Sequence, residues 1–347
     1  MNFGAIMRQC AKTIAASVTM ALVVSAATLG SRNLQAEQRK DSMPRVGQTV
    51  ESVVRPSIDS VSCSQFNSRL MAKSPAKGAV NPAVAEEFLI YLRQVGADMG
   101  AQIVEVAPRE FAWWLHVLGP VSALTVTMAI HETSHDVDQY LRICGDGTAR
   151  YRIGVDLFAS GIRRGESPTI ASSLTQGNSR ALHLMTEIRR RKYVFEAASG
   201  NDITSLFGEL TAYLGEADTE IALYRRHLSG ERMMAPGVTA INGGLSGLID
   251  MTVLMKVYLQ ALQRDDPAAF ERVFLKTNVS CLISRAHADS RDLVNRAVEL
   301  DIQRRLGFDI GLSRLAALRF AELVEVGSRG GGIYADIKRR AAVSKTC

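Results

Sequence analysis

The longest regular pattern in this chain of 347 residues is helical. From residue 178 onward, apolar side chains recur with the 3.6-residue period of an α-helix, and a helix with such a stripe must bury it against a neighbour. This requirement restricts the fold to helices packed on helices over most of the C-terminal half. The periodic segments are 178–198, 202–228, 243–263, 267–276, 284–305 and 311–326.

The preceding part of the chain mixes helical and strand patterns. Helices are expected from Pro82 onward, over 110–118 and over 121–143, where Gly-Pro or Gly-rich sequences follow the last two. Residues 102–107 alternate as a short strand does, and 151–158 indicate a second strand or one arm of a hairpin. We therefore predict a mainly α fold, of the α+β kind, with a small strand component.

The N-terminus has the composition of a secretory signal. Arg8 and Lys12 precede an apolar run over 14–24, and small residues follow that run. The run is short for a membrane-spanning helix, which favours a cleaved signal over an uncleaved anchor. We therefore expect an exported protein, periplasmic or secreted, with no stable membrane span after cleavage.

Four regions follow from these patterns. Residues 1–36 are interpreted as the signal peptide, and 37–80, rich in Gln, Ser, Arg, Lys and Pro, as a flexible arm. A mainly helical domain occupies 81–328, and 329–347 form a basic C-terminal tail.

Charge and cysteine content limit the classes of function. Without residues 1–36 the chain has 38 Lys and Arg against 35 Asp and Glu, since that segment holds three basic and no acidic residues. So small an excess does not support nucleic-acid binding. Four cysteines remain after export, and the sequence leaves open whether they pair or stay free. They are Cys63, Cys144, Cys281 and Cys347.

Residues 131–135, His-Glu-Thr-Ser-His, carry the strongest chemical signal. On a helix, His131 and His135 project from one face, one turn apart, so that both imidazoles can bind one metal ion. Glu132 is then placed to take a proton from a water on that ion. The alternative is a chance arrangement on a solvated helix.

A zinc site with an open catalytic position needs a third protein ligand. Extensions with Gly and His after the second His, or with Gly-Thr-x-Asp downstream, are absent, which leaves a Glu on a later helix. The segment 202–228 has a polar stripe that borders its apolar stripe, and partly buried carboxylates there need a partner. Glu209 is the first choice for the third ligand and Glu216 the second. The polar stripe contains Glu209, Tyr213, Glu216, Glu220, Tyr224 and His227.

The motif helix resembles the active-site helix of the zincin metallopeptidases, and a helical Glu downstream makes the chain similar to their gluzincin branch. The resemblance implies a zincin-like helical bundle around the motif helix, with Zn²⁺ held by His131, His135 and the later Glu. It also implies that Glu132 is the general base for hydrolysis of a protein or peptide substrate. Tyr213, Tyr224 and His227 could each donate a hydrogen bond to a developing oxyanion.

Two other functions fit the same sequence. The protein could be a non-catalytic helical envelope protein that binds a partner through apolar helices and Trp113–Trp114. It could also bind zinc without catalysing a reaction. Asp250 and Lys256, within the apolar run 245–262, favour a core helix over a membrane span for that segment.

Overall fold

The structure is a computed structural model. It describes residues 83–144, 147–154, 156–170, 174, 185–195, 201–230, 243–274, 277–303 and 333–343. The predicted signal peptide, the predicted flexible arm and the predicted helix at 311–326 lie outside these residues, and the predicted helix at 178–198 lies partly outside them.

Four helices form the N-terminal part of the described chain. Pro108 lies in the first turn of the third helix, where its missing N–H costs nothing, and Gly119 follows its last residue at a φ of 99° that favours glycine. The helices are α1 (Ala83–Val95), α2 (Asp98–Val106), α3 (Pro108–Leu118) and α4 (Ala123–Cys144).

The predicted strand at 102–107 is wrong, because these residues belong almost entirely to α2. Their alternation is also compatible with a helix that buries Ala101 and Val104, three residues apart on one face. Gly100 allows this face to approach its neighbours closely. A Cβ there would lie 2.2 Å from Thr219 Oγ1 and 3.0 Å from Ile130 Cδ1.

A two-stranded antiparallel hairpin follows α4. β1 (Arg150–Ile153) pairs with β2 (Asp156–Ala159), and Tyr151 lies opposite Phe158. This hairpin confirms the strand prediction at 151–158.

The remaining described elements are helical, which confirms a mainly α fold with a small strand component. They are α5 (Glu187–Arg190), which continues into a π-helical turn (Arg191–Phe195), α6 (Ile203–Leu228), α7 (Gly243–Asp265), α8 (Pro267–Phe274), α9 (Thr277–Gln303) and α10 (Ile333–Val343).

Helix α6 is the central element of the fold. The Asp202 side chain caps it by accepting hydrogen bonds from the amides of Thr204 and Ser205. Every residue from 211 to 224 is buried, since α6 packs against α2, α4, α7 and α9. Its polar positions are therefore inside the protein and need polar partners.

Helix α7 is long and apolar enough to cross a membrane, but 89% of its most apolar window is buried within the protein. Its Asp250 is fully buried and accepts hydrogen bonds from the backbone amide and the hydroxyl of Thr186 and from the Arg189 guanidinium. These contacts supply the partners that a buried carboxylate requires.

Two features of the fold were only weakly indicated by the sequence. Helix α10 falls within the predicted basic tail, yet it packs on α9 and α7 and buries Ile333, Ile337 and Ala341 at spacings of four residues. Cys281, whose pairing the sequence left open, is disulfide-bonded.

Replacement of Gly247 tests how closely α7 must approach α6. A Cβ at this position would lie 2.1–2.6 Å from ring atoms of Tyr213, so Gly247→Ala is expected to lower the free energy of unfolding by about 1–3 kcal/mol. Gly208→Ala is the matched control, because its Cβ would meet other side chains only at 3.8–4.0 Å and alanine favours a helix. Urea unfolding followed by circular dichroism measures both. Equal stability of the two variants would contradict this packing.

Candidate metal centre

The contact between α4 and α6 brings two histidines and one glutamate together. His131 and His135 lie one turn apart on α4, with their Nε2 atoms 3.2 Å from each other. Glu209 on α6 faces both rings, with Oε2 3.6 Å from His131 Nε2 and Oε1 3.7 Å from His135 Nε2. The three side chains form a group that could hold a metal ion. We call His131, His135 and Glu209 the metal group.

The spacing of these atoms fits a single cation. Ligands at 2.0–2.1 Å from a tetrahedral zinc ion lie about 3.3 Å from one another. The separations of 3.2–3.7 Å are close to that value, so small side-chain movements would complete the coordination. Two imidazoles and one carboxylate are also a donor set that first-row transition metals accept.

Glu216 occupies a different position from Glu209. Its Oε2 lies 2.8 Å from Nδ1 of His131, on the side of the ring away from the other two ligands. Although this contact is short, Nδ1 makes no hydrogen bond of good geometry. A carboxylate at this nitrogen still favours the tautomer that leaves Nε2 free for a metal. The structure thus brings Glu209 to the nitrogens that face each other and Glu216 behind His131.

Helix geometry explains this division of roles. Glu209 and Glu216 are seven residues apart, or about 10 Å along α6, and lie on the same face. The ring of His131 lies between their carboxylates, with one near each nitrogen.

Further side chains hold these groups in place. Tyr193, from the π-helical turn, donates a hydrogen bond of 2.8 Å to Glu209 Oε2. The Tyr213 ring packs edge-on against His131 with a centroid distance of 4.5 Å, and the Tyr213 hydroxyl accepts a hydrogen bond from Arg189 Nε. Arg189 in turn pairs with buried Asp250.

The sequence did not identify Tyr193 or Arg189 as part of the site. Asp250 was the available signal, because a charge in an apolar helix requires a partner, but periodicity does not say which residue supplies it.

The remaining residues proposed from the sequence are Tyr224, His227 and Glu132, and the first two lie far from the metal group. Tyr224 and His227 are 15 and 18 residues beyond Glu209, or about 22 and 27 Å along α6, so they are far from the metal group. Tyr224 is buried and His227 is exposed. Glu132 is half-buried on α4, about 100° around the helix from His131.

The charges of the histidines and glutamates in and beside the metal group shift one another's pKa values. Burial alone would lower the pKa of His131, but the nearby Glu209 and Glu216 outweigh it and hold that pKa well above its usual range. Burial would raise the pKa of Glu209, and its contacts with His131 and His135 outweigh this and hold it well below its usual range. The metal-free group therefore keeps a proton on His131 opposite an ionised Glu209.

A cleft of about 240 Å³ opens beside the group, and His135 and Glu209 form part of its wall. Asp138, one turn after His135, also lines it and accepts a hydrogen bond of 3.2 Å from Thr211 Oγ1. Burial raises the pKa of Asp138 well above its usual range, despite that hydrogen bond. The metal group is thus reachable from a polar cleft.

No protein-family model, no curated protein and no solved structure matches this chain. The function is therefore inferred from the residues of the site.

Substitution of the two glutamates separates a metal ligand from a supporting carboxylate. Glu209→Gln is expected to remove most metal binding, because it replaces a ligand. Glu216→Gln should weaken binding by about 10–100-fold, as for loss of a carboxylate behind a liganding histidine. Glu87→Gln, on the exposed surface of α1, is the matched control. Competition with a chromophoric chelator measures the three affinities. A larger loss in Glu216→Gln than in Glu209→Gln would reverse the assignment.

Metal affinity is expected to rise with pH. Because the pKa of His131 is raised, its Nε2 carries a proton below that pKa and must lose it before a metal binds. Affinity should therefore fall by about tenfold per pH unit as pH drops below this pKa, because each bound ion then displaces a proton. Calorimetry in two buffers with different enthalpies of ionisation measures the proton release. Binding without proton release would show that His131 is already neutral.

Proposed function

We propose that this protein is an exported zinc-dependent metallopeptidase that hydrolyses peptide bonds, with Glu132 as general base. The observation that carries this proposal is the convergence of His131, His135 and Glu209 from two helices to the spacing of zinc ligands. The chain order, with Glu132 between the histidines and the carboxylate on a later helix, is that of a gluzincin-like centre.

The type of coordination favours a catalytic site over a structural one. Structural zinc sites in proteins are closed by four protein ligands, whereas catalytic sites use three and leave a position for water or substrate. Among the described residues, the metal group comprises three side chains. A cleft reaches two of them, as a substrate would require.

Each residue would have a distinct task. His131, His135 and Glu209 would hold the ion, while Glu216 and Tyr193 would fix the orientation of His131 and Glu209. Zinc, when bound, lowers the pKa of a coordinated water toward 7 and polarises the substrate carbonyl. The Glu132 carboxylate would take a proton from the attacking water and deliver it to the nitrogen of the leaving amine.

Export is supported by two features. The N-terminal 36 residues have the charge and apolar run of a secretory signal. Cys281 is disulfide-bonded, and structural disulfides are typical of oxidising compartments.

Glu132→Gln tests the general base separately from the metal. The amide cannot accept a proton, so hydrolysis should fall by about 10²–10⁴-fold while zinc content stays at one ion per chain. His135→Ala is expected to lose both zinc and activity. Elemental analysis and the release of labelled peptides from casein measure the two properties, with Glu87→Gln as the control. Wild-type protein without stoichiometric zinc, or full activity in Glu132→Gln, would refute the proposal.

A further inference from the structure

We propose that the cleft beside the metal group contains a carboxylate-binding subsite formed by Arg142 and Arg164, which selects peptides with an anionic group close to the scissile bond. This inference rests on the proposed peptidase function, and it specifies the substrate class of that site.

The position of the two arginines supports the assignment. Both residues line the same cleft as His135 and Glu209, so a ligand in the cleft would lie close to all four residues. Arg142 lies on α4, seven residues after His135, or about 10 Å further along the helix. An extended peptide spans about 3.3–3.6 Å per residue, which places the anionic group within one to three residues of the scissile bond.

The charge of the cleft also favours an anionic ligand. Its lining includes three basic residues, Arg142, Arg150 and Arg164, against two acidic residues, Asp138 and Glu209. A divalent cation at the metal group would add to this positive charge. Asp138 is held by Thr211, and Glu209 by Tyr193 and the histidines, so neither is directed to the arginines by a described contact. A cleft with this charge attracts anions from solution.

The state of the two guanidinium groups suits ligand binding. Among the described residues, no ion pair or hydrogen bond engages Arg142 or Arg164. Arg142 is half-buried and Arg164 is exposed, so each can reach a ligand without breaking a contact within the described structure. A guanidinium group pairs with a carboxylate through two parallel hydrogen bonds, which gives orientation as well as charge.

Two parts of a peptide offer such a carboxylate. One is the free C-terminus, which would make the enzyme remove residues from that end. The other is an Asp or Glu side chain, which would allow internal cleavage beside acidic residues. The cleft is smaller than the 300–1,000 Å³ typical of sites for drug-sized ligands, so it suits one or two residues and not a large ligand.

Binding of matched peptides tests the subsite. Four five-residue peptides carry an uncharged coumarin label at the N-terminus. The first two are penta-alanine, one with a free C-terminal carboxylate and the other with a C-terminal amide. The last two are C-terminal amides in which one alanine is replaced by Glu or, as its neutral match, by Gln. Fluorescence anisotropy measures their binding to the zinc-loaded full chain with Glu132→Gln, which prevents cleavage.

We expect at least one carboxylate peptide to bind about fivefold more tightly than its neutral match, with the difference decreasing as salt is added. Adding Arg142→Gln and Arg164→Gln should abolish the difference. Arg272→Gln, an exposed arginine on α8, is the matched control and should leave it unchanged. The peptide that shows the preference identifies a terminal or a side-chain carboxylate as the ligand.

Three results would overturn the subsite. They are equal binding of charged and neutral peptides, a preference that does not respond to salt, and a preference that survives in the folded double arginine variant but disappears when a chelator removes zinc. The last result would assign carboxylate binding to the ion. Absence of zinc from the purified protein would refute the peptidase proposal alone, because the arginine-dependent preference can still be measured without metal.

Discussion

The packing of α4 against α6 is the contact on which the candidate site depends. It buries a helix with carboxylates on one face against a helix with two histidines on the facing side. Neither helix could bury these groups alone, because an unpaired charge inside a protein costs several kcal/mol. The interface is therefore both part of the core and the source of the metal group, and a change in the register of one helix would disrupt both.

Charge balance links this interface to proton and metal binding. Glu209 and Glu216 lie on either side of His131, so a positive charge between them is favourable whether a proton or a cation supplies it. The proton satisfies this requirement in the absence of metal, as the raised pKa of His131 indicates. A metal must therefore compete with that proton, and it gains by also reaching His135, which lies 3.2 Å from His131.

The sequence predicted those parts of the site that follow from helical periodicity, which determines the face of a helix from which each side chain projects. A four-residue spacing places His131 and His135 on one face of any helix, and the stripe on 202–228 contained both carboxylates. Periodicity could not decide between Glu209 and Glu216, because they share a face and differ only in their position along α6. The alternation at 102–107 was misleading since a short helix and a strand can both bury residues of that pattern. The roles of Tyr193 and Arg189 could not be predicted, because they arise from contacts between segments that are separate in the sequence, and no local pattern indicates such contacts.

The hydrogen bond from Tyr193 to Glu209 has a consequence for how the carboxylate can bind. The phenol occupies a lone pair on Oε2 and reduces the electron density which that oxygen can donate, whereas Oε1 faces His135. If a metal ion binds here, this hydrogen bond would favour attachment of Glu209 through one oxygen. Fewer protein donors would then leave the ion a stronger electrophile toward a molecule that enters from solution.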